Sequence, residues 1–454
     1  MKRLSILPLL LALLMLAGCT SPAVNGNTQA GGKGNGYLLA APADRAFAKH
    51  PSAALDENGE GDYSKYYKLE NEWSKALDER RNAGETPDMG AFAERLAGEL
   101  AAAGGNGNLF FSPANIYIAL AMLTECAEGE TRAELLSALG AKDGETLGKK
   151  VAALIKAESN DDGVAACLPA NSIWMQAGAH KYSDELLNKL AQEYGASSYS
   201  GSFAEKGFTD LMRAWLNEHT GGLLKDSVNE LDISADTVVA LASAIYFKNS
   251  WQNKFFKGDT KVETFRGANG DTTCSMMHVE ADHIPYYEGD GFRAAALEME
   301  EGACCWVLLP DEGASPDSVV GKGLELAKQG MNAMNSGLKV HVAMPKLDIT
   351  SDFDLIPALQ KMGVNKCFTE AAELDRLTED ENGLFVSQVR HSARIIADEE
   401  GVEAAAFTVI AMPGSAEFPP ELERAELILD RPFAFIITGL SGAPLFIGTV
   451  NELW

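Results

Sequence analysis

Helical patterns dominate the first half of this sequence, and strand patterns dominate the second. Apolar residues spaced four apart predict a helix through Phe92, Leu96 and Leu100. Another helix should begin after Ser112, because Ser is a favoured N-cap and Pro113 fits the first helical position. Its apolar residues predict a buried stripe: Ile116, Ala119, Leu120 and Leu123.

Apolar runs of strand length follow. The predicted strands are 238–247, 294–299, 304–309, 338–344, 394–397 and 433–437. The alternation of strand and helix that builds a parallel α/β sheet is missing. The order therefore predicts an α+β fold with antiparallel or mixed sheets.

The first eighteen residues, 1–18, have the pattern of a processing signal. Two basic residues precede the apolar run 4–16, which is too short for a comfortable membrane span. The run ends in Leu16-Ala17-Gly18-Cys19, which resembles the lipobox of bacterial lipoproteins. That resemblance implies a diacylated Cys19 and a protein anchored to the bacterial membrane or cell surface. An ordinary secretory signal with an incidental Cys would instead release the protein.

Three further regions follow the signal. Residues 19–36 are rich in Gly, Asn and Ser and predict a flexible linker. Residues 87–454 carry the regular patterns of the main domain. The region 37–86 is a polar N-terminal extension of unclear structure, in which helical spacing predicts one helix packed on the main domain, through Tyr63, Tyr66, Leu69, Trp73 and Leu77.

Composition and motifs argue against several functions. A net charge of −27 leaves little room for a basic face that binds nucleic acid. The sequence has neither an HExxH metal motif nor a GxSxG nucleophile elbow, so we expect no enzyme activity, no metal and no cofactor. We expect the remaining cysteines to be buried free thiols rather than a disulfide framework: Cys126, Cys167, Cys274, Cys304, Cys305 and Cys367.

Four separated blocks, in this order, resemble the signatures of the serpin family. They are 108–122 with 129–131, 243–251 with 255–265, 344–347 with 355–368, and 398–408 with 431–433 and 445–448. The resemblance implies a serpin fold, with about nine helices, three β-sheets and an exposed reactive-centre loop. It also implies a monomeric, non-enzymatic suicide inhibitor of serine proteases, with cysteine proteases as a second target class.

The segment 402–412 has the pattern of a strand. It lacks Gly and Pro, and its alternate residues from Val402 to Met412 are small or apolar, which places them on one strand face. Residues 413–420 are rich in Pro and read as a loop. The resemblance implies that this loop inserts into the largest sheet after cleavage. Its hinge would be Glu399, Glu400, Gly401, Val402, Glu403, Ala404, Ala405, Ala406, Phe407 and Thr408.

The resemblance also places the reactive bond. With Gly401 as the fifteenth residue before it, the bond is Ser415–Ala416, whereas the later prolines favour Ala416–Glu417; Met412 is a further alternative. Small residues there suit elastase-like or subtilisin-like proteases. No Arg or Lys lies between Gly401 and Glu423, which argues against trypsin-like targets.

Five more residues receive roles from the resemblance. Ser112, Ser243 and His391 match a polar cluster beneath the opening sheet, although His391 alone is equally typical of a core histidine. Ser243 replaces the family's usual Asn, which weakens that network or leaves room for a water. Lys346 pairs with Glu399 and Trp251 packs beside them at the mouth of the sheet. As a surface pair, Lys346 and Glu399 would contribute under about 1 kcal/mol.

Two other functions fit the sequence less well. A non-inhibitory serpin acting as a binding or chaperone-like protein would typically carry bulky, charged or Pro residues in the hinge, which residues 402–408 mostly lack. A lipid-anchored solute-binding protein would need a two-lobed α/β repeat, and the sequence has none. The sequence therefore favours an inhibitory serpin outside the cytoplasm.

Overall fold

The protein is described by a computed structural model that covers residues 36–56, 59–105, 107–178, 180–224, 233–378, 384–403 and 422–453. Nine α-helices and three β-sheets occur among these residues, which confirms the predicted α+β class. The helices are α1 (Tyr63–Arg81), α2 (Gly90–Gly104), α3 (Pro113–Cys126), α4 (Gly129–Ala138), α5 (Gly144–Glu158), α6 (Asp184–Tyr194), α7 (Lys206–Glu218), α8 (Asp317–Gln329) and α9 (Ile356–Lys361).

Eighteen strands are present in the same part of the chain. In chain order they are β1 (Leu38–Ala40), β2 (Leu109–Phe111), β3 (Asn160–Asp161), β4 (Ala166–Gln176), β5 (Ala196–Gly201), β6 (Val239–Ser250), β7 (Lys261–Gly267), β8 (Gly270–Asp282), β9 (Tyr286–Gly289), β10 (Phe292–Glu298), β11 (Cys304–Pro310), β12 (Leu338–Pro345), β13 (Leu347–Asp354), β14 (Val386–Ala397), β15 (Gly401–Val402), β16 (Glu423–Ile428), β17 (Phe433–Thr438) and β18 (Pro444–Val450).

The largest sheet has eight strands, in the order β1-β5-β4-β6-β15-β14-β13, with β3 paired to β4. Its pairings are mixed, because β4 runs parallel to β5 and β6 runs parallel to β14 while the other pairs are antiparallel. A six-stranded sheet has the order β2-β18-β17-β11-β10-β9, and a four-stranded sheet has the order β16-β12-β8-β7. The three sheets match the number expected from the sequence.

The core lies between the large and six-stranded sheets. Helix α3 contacts β4 and β6 of the large sheet and β18 of the six-stranded sheet. Ser112 caps it as predicted, since its hydroxyl accepts the backbone N–H of Asn115 at 3.2 Å. The residues of the predicted stripe are buried, and so is every other residue of α3. Because sheets cover this helix on both sides, its whole circumference is shielded from solvent.

A smaller apolar cluster covers the opposite face of the large sheet. Helix α7 packs there through Phe208, Met212 and Trp215 against the small residues of β6. Trp174 of β4 stacks on Tyr199 of β5 with ring centroids 4.1 Å apart. The large sheet is therefore an interior layer, with apolar side chains packed on both of its faces.

The N-terminal extension is joined to the main domain at several points. Strand β1 pairs antiparallel with β5 and so forms the edge of the large sheet. Helix α1 confirms the predicted helix, although Tyr63 is exposed and Leu77 is its one buried residue. Arg80 of this helix forms a largely buried ion pair with Glu301 at 2.8 Å.

The cysteines of the described residues are free thiols. Five are buried, as predicted, whereas Cys274 is only half-buried because its strand β8 has one face toward solvent. Within the residues that the structure describes, no helix combines the length and the apolar character that crossing a membrane requires.

Candidate functional site: a gap in the large sheet

The two central strands of the large sheet pair over only part of their length. The parallel ladder between β6 and β14 runs from Val239 and Val386 to Ser243 and His391. Beyond it, the ladders among described residues join each strand instead to β15, where Val402 lies between Asn249 and Ala397. Between these two points no described strand separates the facing edges of β6 and β14, and we call this stretch the gap. Its backbone groups can pair with a further strand.

Strand β15 already occupies the open end of this gap. The chain leaves β14 at Ala397, reverses in a turn and returns as β15. The turn is closed by the backbone N–H of Asp398, which donates to the carbonyl of Gly401 at 2.9 Å. Val402 is 4% exposed, so the first apolar residue of the hinge is buried in the sheet. The hinge therefore begins as a strand.

Glu399 lies buried at the mouth of the gap. Its Oε2 is 2.7 Å from Lys346 Nζ, and its Oε1 accepts the Thr260 hydroxyl at 2.7 Å. Burial raises the pKa of Glu399, but the hydrogen bonds from Lys346 and Thr260 outweigh it and hold the pKa below its ordinary value. The surface description of this pair holds for Lys346, whose side chain is 41% exposed, but not for Glu399, which is only 4% exposed.

Glu400 is held by the same neighbouring segment. Its two carboxylate oxygens lie 3.0 Å from Lys254 Nζ and 3.2 Å from Lys257 Nζ. Burial raises the pKa of Glu400, and the two lysines outweigh that effect and lower it. The segment after β6 thus binds the carboxylates of Glu399 and Glu400.

Trp251 fixes the backbone of this turn. Its backbone N–H donates to the carbonyl of Glu400 at 3.1 Å, and its indole Nε1–H donates to the carbonyl of Asp398 at 2.8 Å. The side chain is 2% exposed. The structure therefore brings Trp251, Lys346 and Glu399 together at the mouth of the gap.

His391 lies beneath the point where the ladder ends. The backbone N–H of Ser112 donates to its Nε2 at 3.0 Å. Since Nε2 accepts, the neutral ring carries its proton on Nδ1. Burial lowers the pKa of His391 to about 3, so the ring stays neutral at physiological pH.

Ser243 stands directly opposite His391 on β14 and Asn171 on β4. The structure thus brings Ser112, Ser243 and His391 together on the inner face of the sheet, above the start of α3. Among the described residues, four buried polar groups here have unpartnered atoms: Asn115, Asn171, Ser243 and His391 Nδ1. His391 is therefore satisfied on one nitrogen only, and this layer of the core is weakly bonded.

Comparison with known proteins places this gap, and the residues around it, in a family. The family model described as "Serpin (serine protease inhibitor)" matches residues 88–453. This chain belongs to the serpin family. Members of that family are typically inhibitors of serine proteases and are generally not enzymes themselves.

Relatives of this serpin come from distant organisms. An uncharacterised serpin-like protein of Thermococcus kodakarensis is 31% identical over 357 residues, which cover 76% of this chain and 81% of that protein. Alpha-1-antiproteinase 2 of Equus caballus is 30% identical over 380 residues, which cover 81% and 86%. The native-state crystal structure of tengpin, a thermophilic serpin, has the same fold, with a TM-score of 0.70 at 23% identity over 80% of this chain and 93% of tengpin.

Several predicted site residues lie outside the described part of this serpin. They are Cys19, the hinge residues Ala404, Ala405, Ala406, Phe407 and Thr408, and the reactive-bond candidates Met412, Ser415, Ala416 and Glu417. For these positions the interpretation rests on the sequence.

Sequence reasoning missed five residues that complete this site. Thr260, Lys254 and Lys257 bind the hinge carboxylates, and Asn115 and Asn171 belong to the layer around His391. Asn171 offered a usable signal, because a polar residue stands there within an apolar strand pattern. The two lysines offered none, since their partner lies about 145 residues away, a separation that local spacing rules do not reach.

Proposed function

We propose that this serpin is a monomeric suicide inhibitor of serine-type endopeptidases, with elastase-like or subtilisin-like enzymes as its targets and cysteine proteases as a second class. The observation that carries the proposal is β15, a two-residue strand paired on both sides at the open end of a gap in the large sheet. The chain that follows it is the strand-like segment 402–412.

The composition of this segment supports insertion. Its alternate residues after Val402 are small or apolar, and Val402 itself is buried in the sheet. Eleven residues span about 36 Å as a strand at roughly 3.3 Å each. About ten new backbone hydrogen bonds, each contributing about 1 kcal/mol net, would stabilise the inserted form by on the order of 10 kcal/mol.

Inhibition then follows from two competing rates. The protease attacks the reactive bond and forms an acyl-enzyme with the residue before it. Cleavage frees the loop, which inserts and carries the attached protease along the sheet. An error of about 1 Å in the protease's catalytic geometry slows deacylation about a hundredfold. The inhibitor therefore needs insertion to be faster than deacylation.

The target class follows from the reactive-bond candidates. Ser415 and Ala416 are small, and the neighbouring frame, Ala416–Glu417, also begins with a small residue. Small residues fit proteases with a small primary pocket. Trypsin-like enzymes are poor candidates, because no basic residue lies in this part of the loop.

A covalent trap is directly visible on a gel. Incubation with elastase or subtilisin should give a complex with the summed mass that survives boiling in detergent. Active-site-blocked protease is the control and should give no complex, and trypsin should give none either. Cleaved protein without complex, for every elastase-like and subtilisin-like enzyme tried, would favour a non-inhibitory serpin with a binding or chaperone-like role.

We further propose that the protein acts outside the cytoplasm of a bacterial cell, where a diacylated Cys19 anchors it to the membrane. Residues 2–19 support this proposal, because two basic residues are followed by an apolar run and then by small residues directly before Cys19. Two acyl chains are sufficient for stable membrane attachment. In a bacterial host, the wild-type protein should fractionate with membranes and Cys19→Ser should move it to the soluble fraction; membrane association of both would contradict the anchor.

A further inference from the structure

The N-terminal extension encloses a cavity on the face of the large sheet that α7 covers. The volume of this cavity is about 260 Å³. The extension runs from β1, at the edge of the sheet, to the backbone N–H of His50, which donates to the carbonyl of Asp162 at 3.0 Å. Between these points, residues 42–45 and Phe47 form one wall of the cavity. Both the extension and the main domain therefore contribute to the cavity.

The large sheet supplies the floor of the cavity. Ala170 of β4, Ser197 of β5 and Tyr246 of β6 line it. They share one face of the sheet, because strand alternation places each of them with the residues of the apolar cluster under α7. The cavity therefore continues that cluster at a place where its packing is incomplete.

Three further aromatic rings line the cavity: Trp215, His219 and Phe47. Trp215 and His219 stack at the end of α7, with ring centroids 4.2 Å apart and 22° between the ring planes. The Nδ1–H of His219 donates to the carbonyl of Trp215 at 2.8 Å, and burial lowers the pKa of His219, so this ring is neutral at pH 7. Together with Tyr246, these rings suit a flat apolar ligand.

Arg45 is the one lysine or arginine among the described residues that line the cavity. Its Nη1–H donates to the Ser159 hydroxyl at 2.5 Å, and it forms no ion pair with a described residue. Its Nη2 lies beside Gly195, where an added Cβ would come within 3.2 Å of it. Burial lowers the pKa of Arg45, an effect that an adjacent carboxylate would offset. The guanidinium therefore has donors free for an anion.

Three carboxylates limit the charge of a ligand in this cavity. Asp44 and Glu218 are exposed and Asp161 is half-buried, and all three line the cavity. They repel a ligand with several negative charges, such as a phosphate ester, whereas a single carboxylate can pair with Arg45. The buried Trp215 adds a donor to the cavity wall, because its indole N–H has no acceptor among the described residues.

We propose that this cavity binds one small aromatic carboxylate, whose ring lies beside Trp215 and Tyr246 and whose carboxylate pairs with Arg45. Arginine binds a carboxylate through two parallel hydrogen bonds, so the pair fixes the orientation of the ligand. The N-terminal extension thereby gains a role, because it supplies Arg45. Ligand binding is independent of protease inhibition, because it needs neither cleavage nor insertion of the reactive loop.

Calorimetric titration of the full chain with three probes of similar shape tests the proposed ligand class. Naphthoate should bind as one molecule per protein and raise the melting temperature. Naphthylmethanol should bind at least about tenfold more weakly, because it lacks the charge, and naphthylmethylammonium should bind more weakly still. Equal affinities for naphthoate and naphthylmethanol, tightest binding of the ammonium probe, or no binding of any probe at millimolar concentration would overturn the proposal.

Two substitutions in the extension test the position of the carboxylate. Arg45→Met should weaken naphthoate binding about tenfold and leave naphthylmethanol binding unchanged, because only the charged contact is lost. Lys49→Met is the matched control, because Lys49 contacts the carbonyl of Asp161 at 3.5 Å without lining the cavity, and it should bind naphthoate as the wild type does. Unchanged naphthoate affinity in Arg45→Met, an equal loss in both variants, or an equal loss for the acid and the alcohol would contradict the pairing with Arg45.

Discussion

Lys346→Met is the most informative substitution at the mouth of the gap. Met retains most of the side-chain length and removes the charge that lies 2.7 Å from the buried carboxylate of Glu399. The carboxylate keeps its hydrogen bond from Thr260 but loses its cation. A charge-assisted hydrogen bond to a buried group contributes about 1.5–3 kcal/mol.

This free energy sets the expected change in melting temperature. With an unfolding entropy of about 2.1 cal/mol/K per residue over roughly 370 residues, the loss lowers Tm by about 2–4 °C. Calorimetry at a fixed scan rate measures it. The matched control is Lys328→Met, because Lys328 and Asp88 also lie 2.7 Å apart but are both exposed. That change should lower Tm by less than about 1 °C.

The effect of Lys346→Met should also depend on pH. The pKa of Glu399 is lowered in the native state, so its ionised form stabilises the fold at neutral pH. That contribution is lost as the pH falls through the native pKa, and the variant should then approach wild type. An equal loss of Tm for Lys346→Met and Lys328→Met at pH 7 would refute the reasoning, since the pair would then act as a surface pair.

Two further substitutions test the gap and the layer beneath it. Ala406→Arg should turn the inhibitor into a substrate, because strand alternation predicts position 406 on the same buried face as Val402. Ala405→Arg, on the opposite face, is the control and should remain inhibitory. Equal amounts of covalent complex on a gel from both variants would contradict this alternation. Ser243→Asn should raise the free energy of unfolding by about 1 kcal/mol in denaturant titrations, because the new amide oxygen can accept from the unpartnered His391 Nδ1–H. The same change at the exposed Ser336 is the control and should have no effect. A loss of stability in Ser243→Asn would refute the placement of the His391 proton on Nδ1.

The sequence predicted the elements whose patterns are regular. All six predicted strands fall on observed strands, and Ser112 caps α3 as expected. The start of β14 was missed by eight residues, because Ser387, Gln388 and Arg390 interrupt its apolar pattern. Gln388 and Arg390 are tolerated because they alternate with the buried residues of β14, and Ser387 stands at the register irregularity between Val386 and Gln388.

The ion pairs and the backbone conformation at the hinge were less accessible from sequence. The proximity of Glu399 and Lys346 came from the family resemblance, but its burial depends on packing around Thr260 and Trp251. The positive φ of Glu403 has no sequence signature, because a glutamate gives no local preference for that conformation.

Cleavage of the reactive loop followed by thermal unfolding tests the central claim most directly. A protease that cuts within residues 413–420 without being trapped leaves the rest of the chain intact. Insertion that stabilises by on the order of 10 kcal/mol should raise Tm by on the order of 10 °C and increase the β-sheet signal in circular dichroism. An unchanged Tm and an unchanged spectrum after complete cleavage would contradict a loop that becomes a central strand.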